Sequence, residues 1–87
     1  MANVTDKNPM VLDTAGVVTE SPVVIKAIYW TGITTDGDDL IIKDMGGGIV
    51  FKAKGLANAD VDIYLGGFVA QGLNLDTIDS GVVLIYT

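Results

Sequence analysis

The side chains best suited to chemistry in this sequence are aspartates, and they occur in two groups. Asp36, Asp38 and Asp39 surround one glycine in the stretch DGDD, and Asp60 and Asp62 lie two residues apart. Ca²⁺ prefers oxygen-rich loops, but the alternating ligands and final glutamate of an EF-hand do not occur around DGDD. The first group therefore predicts a solvated turn and no metal site.

The second group has the spacing that places two side chains on the same face of a strand. A glycosidase needs two carboxyl groups that face each other across a cleft, and a chain of 87 residues leaves little room for one. Nucleophilic catalysis is no better supported, because Ser21 and Ser80 are the two serines and the chain has no histidine to act as base. The glycines at 46–48 are not followed by Gly-Lys-Ser/Thr, so they form no phosphate loop. We predict a protein that is not an enzyme and that binds no cofactor.

Aromatic residues could form a different kind of site. Tyr29 and Trp30, or an exposed Tyr64, could provide a platform on which a sugar ring stacks. Such residues more often belong to a core or to an interface, and burial of Trp30 would remove it as a platform. A small carbohydrate-binding module is therefore an alternative function, from a different class than the one favoured below.

Charge excludes several partners. The chain has eleven acidic residues, five lysines and a net charge of −6. Nucleic-acid binding and attachment to anionic lipid surfaces both need clustered Lys or Arg, so we expect neither partner. The longest stretch without a charge, Ile63 to Leu75, is much shorter than the ~20 residues of a membrane-spanning helix. The polar start of the chain has no apolar segment typical of a signal peptide, so we expect synthesis in a cytoplasm.

Composition also indicates how so small a domain is stabilised. Cysteine is absent, which excludes disulfides, and a zinc site without Cys or His is not expected. Apolar residues nevertheless make up 49% of the chain, and the mean hydropathy is +0.48. Because a small domain buries a modest share of its surface, we expect stabilisation through oligomerisation or docking.

The apolar residues occur in short runs separated by turn signals, a pattern typical of a β-sandwich or barrel. Turn signals include Ser21-Pro22, Asp36-Gly37 and the three glycines at 46–48. The runs are 10–19, 23–30, 39–44, 49–54, 61–66, 68–75 and 82–87. No window has a sustained helical period. We predict an all-β fold, a compact antiparallel sandwich or jelly-roll-like barrel of about seven short strands, formed by residues 10–87, with an extended N-terminal arm at residues 1–9.

Two of the predicted strands, 23–30 and 82–87, are apolar on both faces. In a two-layer fold, each strand has one face towards the core and one towards the outside, so something must cover the second face. A loop or the arm of the same chain could do so, or another subunit. We favour the subunit. The residues expected at such an interface are the following: Val4, Met10, Val24, Ile28, Trp30, Val83 and Ile85.

Two segments resemble a recurring type of small bacteriophage virion protein. They are IYWTGITTDGDDLIIKDMGGGIVFKA, residues 28–53, and GLNLDTIDSGVVLIY, residues 72–86. The shared pattern is an aromatic-Thr-Gly turn, Gly-Asp-x-Leu, Lys-Asp before a glycine-rich hairpin, and Gly-Leu-x-Leu-x-Thr-x-x-Ser-Gly before a final apolar strand. The resemblance implies a non-enzymatic structural component of the particle, and it carries no ligand residues.

The hypothesis from these observations is a capsid decoration or cement protein, located in the virion after assembly in the host cytoplasm. Its expected partners are copies of itself, with a trimer as the first choice, and the major capsid protein or another virion protein. The arm is expected to dock on a neighbouring subunit. A tail or neck component is the alternative within the particle.

Overall fold

A computed structural model describes residue 3 and residues 8–87, and this part of the chain contains eight β-strands and no helix. The strands are β1 (Met10–Leu12), β2 (Gly16–Thr19), β3 (Val23–Thr31), β4 (Asp39–Lys43), β5 (Ile49–Lys54), β6 (Val61–Ala70), β7 (Leu73–Ile78) and β8 (Val82–Tyr86). The predicted all-β class is confirmed, with eight strands where the sequence predicted about seven. No helix in these residues could span a membrane.

The extra strand arises because one apolar run contains a break. Residues 10–19 were predicted as a single run, but β1 and β2 lie in different sheets. The converse occurs later in the chain, where β6 continues through Gly66-Gly67. Both of these glycines have a positive φ, 69° and 99°, a backbone conformation that other residues rarely adopt.

The strands form two antiparallel four-stranded sheets that pack face to face. The first sheet has the order β1-β8-β3-β6, and the second has the order β2-β7-β4-β5. β1 pairs with β8, β2 with β7, β3 with β6 and β4 with β5. The chain thus resembles one long hairpin wrapped so that successive strand pairs belong to alternate sheets. This is the arrangement of an eight-stranded jelly roll.

The core lies between the sheets and is entirely apolar among the described residues. Each strand of a sandwich directs alternate side chains inward, and β4 and β8 follow this rule, with two buried residues each. The buried residues are Met10, Leu12, Ile25, Ile28, Trp30, Ile33, Leu40, Ile42, Ala70, Leu73, Leu75, Val83 and Ile85.

Strand β3 departs from simple alternation. Its register against β6 shifts between Ile25 and Ala27, and a bulge of this kind changes which residues face each side of a sheet. Ile25 is buried before the shift, and Ile28 and Trp30 are buried after it. This shift explains why residues 23–30 have an apolar pattern on both faces.

Turns at one end of the sandwich enclose Trp30. Its indole Nε1 donates to the carbonyl of Ser80 over 2.8 Å, and the Ser80 hydroxyl donates to Asp38 Oδ2 over 2.5 Å. Gly81, with φ of 77°, lies so close to the carbonyl of Thr31 that a side chain would collide with it. The turn between β7 and β8 thus covers the indole ring.

The described part of the predicted arm contacts its own domain. The Asn3 side chain accepts from the backbone N–H groups of Asp13 and Thr14 and donates to the Thr14 carbonyl. The Asn8 side chain accepts from the Thr87 N–H at 3.0 Å and donates to its carbonyl at 2.9 Å. Docking of the arm on a neighbouring subunit stays a prediction.

Candidate binding face

The structure separates the predicted interface residues into three groups. Five of them are buried in the core of the single chain: Met10, Ile28, Trp30, Val83 and Ile85. A role for them at an interface stays a prediction. The bulge in β3 directs Ile28 and Trp30 towards the second sheet, and the alternation in β8 does the same for Val83 and Ile85. Val24 lies on the outside and is 45% exposed. Val4 lies outside the described residues.

The outer face of the first sheet carries all three tyrosines of the chain. Ala27 lies between Tyr86 on β8 and Tyr64 on β6, because it pairs with both. In the next row, Tyr29 lies between Leu84 and Asp62. We call this surface, formed by Ala27, Tyr29, Asp62, Tyr64 and Tyr86, the tyrosine face.

A groove of about 360 Å³ runs across the tyrosine face. Ala27 gives it a low floor, and the rings of Tyr64 and Tyr86 stand on either side. Tyr64 is 79% exposed and Tyr86 is 39% exposed, so both rings are accessible. Asp62 lines the same groove and makes no hydrogen bond within the described part of the chain. The groove thus combines aromatic walls with a free carboxylate.

Tyr29 is held in place at one end of the groove. Its hydroxyl donates to Asp60, and the same carboxylate accepts from the Thr31 hydroxyl at 2.8 Å. The hydrogen bond to Asp60 raises the pKa of Tyr29 above 10.0. The bonds from Tyr29 and Thr31 lower the pKa of Asp60 below 3.8. A neutral phenol that donates to a charged carboxylate is the stable arrangement at neutral pH.

The outer face of the second sheet is different in character. Lys54 pairs with Asp39 over 2.9 Å, and Lys43 lies 3.7 Å from Asp76. The remaining exposed lysine of this sheet, Lys52, also lies on β5. One outer face therefore carries paired charges, whereas the other carries aromatic and apolar groups.

The edges of the sheets also differ from one another. The edge strands β1 and β2 are short, with three and four residues, and the edge strand β5 carries Lys52 and Lys54. Short strands and lysines are the usual protection of an edge against pairing with other chains. The fourth edge strand, β6, has ten residues and no lysine or proline. Among residue 3 and residues 8–87, no strand pairs with the outer side of β6, and the Gly66-Gly67 bend and Asp62 are the features that interrupt this edge.

Most of the aspartates singled out in the sequence accept hydrogen bonds from backbone and side-chain groups of the loops. Asp36 accepts from the Ala57 N–H at 2.8 Å, and Asp38 accepts from Ser80. Within residue 3 and residues 8–87, no group of acidic side chains has the geometry to hold a metal ion. Asp60 and Asp62 share the outer face, as predicted; Asp60 accepts from the hydroxyls of Tyr29 and Thr31, and Asp62 lines the groove.

Sequence reasoning identified Tyr29 and Tyr64 but missed Ala27 and Tyr86. Alternation in 82–87 places Tyr86 opposite Val83 and Ile85, which is a signal that Tyr86 faces outward. The pairing of Ala27 with both tyrosines depends on the register of three strands, which the local pattern does not contain.

Comparison with protein-family models, with curated proteins and with solved structures found no match.

Proposed function

We propose that this chain is a non-enzymatic structural protein of a bacteriophage particle that assembles through the open edge of β6. The observation that carries the proposal is the contrast between β6 and the other three edge strands. A capsid decoration or cement protein is the first choice, and a tail or neck component is the alternative. Partners are copies of the same chain, with a trimer as the first choice, and a virion protein.

The β6 edge has two properties that favour assembly. Its outward backbone N–H and C=O groups can pair with an added strand, which is a common way for proteins to associate. Exposed apolar side chains also lie on β6 and beside it on β3. They are Val24, Ile63, Phe68 and Val69.

Two further lines of reasoning connect assembly with a phage particle. Residues 28–53 and 72–86 resemble small virion proteins. The jelly roll also recurs among viral capsid domains, a likeness at the level of the fold.

A matched pair of lysine substitutions tests the assembly edge. Val69 on β6 and Val17 on β2 are valines on edge strands of opposite sheets, 53% and 57% exposed. We expect the wild-type chain to sediment as a defined oligomer at micromolar concentration, Val69→Lys to sediment as a monomer, and Val17→Lys to behave like wild type. A wild-type monomer, or equal effects of the two substitutions, would contradict the proposal.

Mass spectrometry of purified particles tests the location of the protein. We expect the chain to be present in particles of the phage that encodes it, and to be lost when Val69 is replaced by Lys. Presence in infected cells but not in particles would refute a role in the virion.

A further inference from the structure

We infer that the groove between Tyr64 and Tyr86 binds one ring of a neutral pyranose glycan. This inference goes beyond the assembly role. A strand added at the β6 edge extends the first sheet sideways and leaves its outer face uncovered, so both activities are compatible on one sheet.

The width of the groove suits a six-membered sugar ring. Tyr86 and Tyr64 are on β8 and β6, the two neighbours of β3. Adjacent strands are about 4.8 Å apart, so the two tyrosines start from backbones about 9.6 Å apart. A ring held between two aromatic rings at contact distances of about 3.5–4 Å needs about 7–8 Å. The small side chain of Ala27 leaves the space between them open.

The groups in the groove match both chemical sides of a pyranose. The aliphatic C–H groups of a sugar carry partial positive charge, and the faces of tyrosine rings are the negative side of their quadrupole. The hydroxyls around the ring are donors, and Asp62 offers two carboxylate oxygens with no partner in the described chain. Tyr29, fixed by Asp60, closes one end of the groove.

Charge indicates that the sugar is neutral. Asp60 and Asp62 lie beside the groove. The strands β3, β6 and β8 together carry one lysine, Lys26. Carboxylates at this position disfavour phosphorylated, sulfated or uronic sugars. An apolar side chain of a partner protein is the competing occupant, but it would cover Asp62 without supplying donors, and covering an unpaired acceptor is costly.

A titration monitored by NMR tests the inference. The ¹⁵N-labelled chain would be titrated separately with methyl β-D-glucopyranoside, methyl β-D-galactopyranoside and methyl N-acetyl-β-D-glucosaminide. For a ligand of this size in a shallow groove, we expect a Kd of about 1 mM for at least one of them. The shifted amide signals should belong to residues near Ala27, Asp62 and Tyr64.

Variants separate stacking from hydrogen bonding. Tyr64→Ala should weaken binding at least about tenfold, and Tyr64→Phe should retain it within about twofold, because the ring provides the stacking surface. Asp62→Asn should weaken binding by a smaller factor, since an amide oxygen still accepts hydrogen bonds. Val17→Ala, on the other sheet, is the control that should bind like wild type.

Four outcomes would overturn the inference. They are the absence of saturable shifts with any of the three sugars, equal binding by wild type and Tyr64→Ala, preference for glucuronic acid over the neutral sugars, and binding of N-acetyl-tryptophanamide but not of sugars. The last outcome would identify the groove as a pocket for a protein side chain. Because sugar binding and the effect of Val69→Lys are measured separately, failure of one proposal is distinguishable from failure of the other.

Discussion

Substitution of Trp30 tests whether this residue stabilises the domain or an interface. Trp30 is the single tryptophan of the chain and is fully buried. Ile33 and the turn glycine Gly55 pack against the indole ring, and a side chain at Gly55 would lie 2.9 Å from its outer carbon. The space that holds the indole ring is therefore closed on this side. If the ring were removed, the surrounding residues could move little to fill the cavity.

The expected cost can be worked out from these contacts. Replacement of a buried tryptophan by alanine typically costs about 3–5 kcal/mol, and loss of the indole N–H leaves the Ser80 carbonyl without its donor, at about 1 kcal/mol. Trp30→Ala should thus cost about 4–6 kcal/mol, a large part of the roughly 4–13 kcal/mol expected for 87 residues. Trp30→Phe keeps a ring and should cost about 2–3 kcal/mol.

Urea unfolding followed by far-UV circular dichroism measures these costs. Trp30→Phe should unfold at a lower urea concentration than wild type, and Trp30→Ala at a lower concentration still. The stability of Val17→Ala should lie within about 0.5 kcal/mol of wild type. The experiment should be repeated at two protein concentrations, because dissociation of an oligomer makes the midpoint depend on concentration. If Trp30→Ala left the midpoint unchanged but altered the sedimentation coefficient, Trp30 would be an interface residue and the packing described above would be refuted.

Three further predictions concern the turns and the tyrosine face. Gly81→Ala should destabilise the domain more than Gly37→Ala in the same urea assay. Both glycines have a positive φ, but an added side chain meets nothing within 4 Å at Gly37 and collides with the backbone at Gly81. Equal losses of stability would contradict the close approach at Gly81. Tyr29 should ionise above pH 10.0 and Asp60→Asn should lower that value, as measured by tyrosinate absorbance; an unchanged titration would disprove the hydrogen bond. The Asp60 carboxylate should also make stability depend on pH. Because its pKa is depressed in the folded chain, its contribution to stability is present above pH 3.8 and is lost as the pH falls through the lowered pKa.

The fold class could be predicted from the sequence because its signals are local. Alternation within strands and glycines at turns depend on neighbours in the chain, and they correctly indicated an all-β fold. The strand count was less accurate, since the break after Leu12 has no proline and Gly66-Gly67 looks like a turn although the strand continues through it.

The candidate site was harder to predict because it depends on register. Nothing in the letters VVIKAIYW marks the bulge near Lys26, and a shift of one residue moves every following side chain to the other face. Because of that single irregularity, Ile28 and Trp30 are buried between the sheets, which the local pattern did not indicate. The tyrosine face shows the same limit, since Tyr29, Tyr64 and Tyr86 are brought together by pairing between distant parts of the chain.

The nested strand pairing has a consequence for how the chain folds. β4 and β5 are the one pair joined by a short connection, and each further pair, β3–β6, β2–β7 and β1–β8, encloses the previous one in the sequence. Closing a long loop costs more entropy than closing a short one, so each pair becomes easier to form once the pair inside it exists. Folding is then expected to start at the β4–β5 hairpin and proceed outward, with slow overall kinetics typical of distant β pairing. The three-residue strand β1 would form last, and its amide hydrogens should exchange with solvent before those of the β4–β5 hairpin.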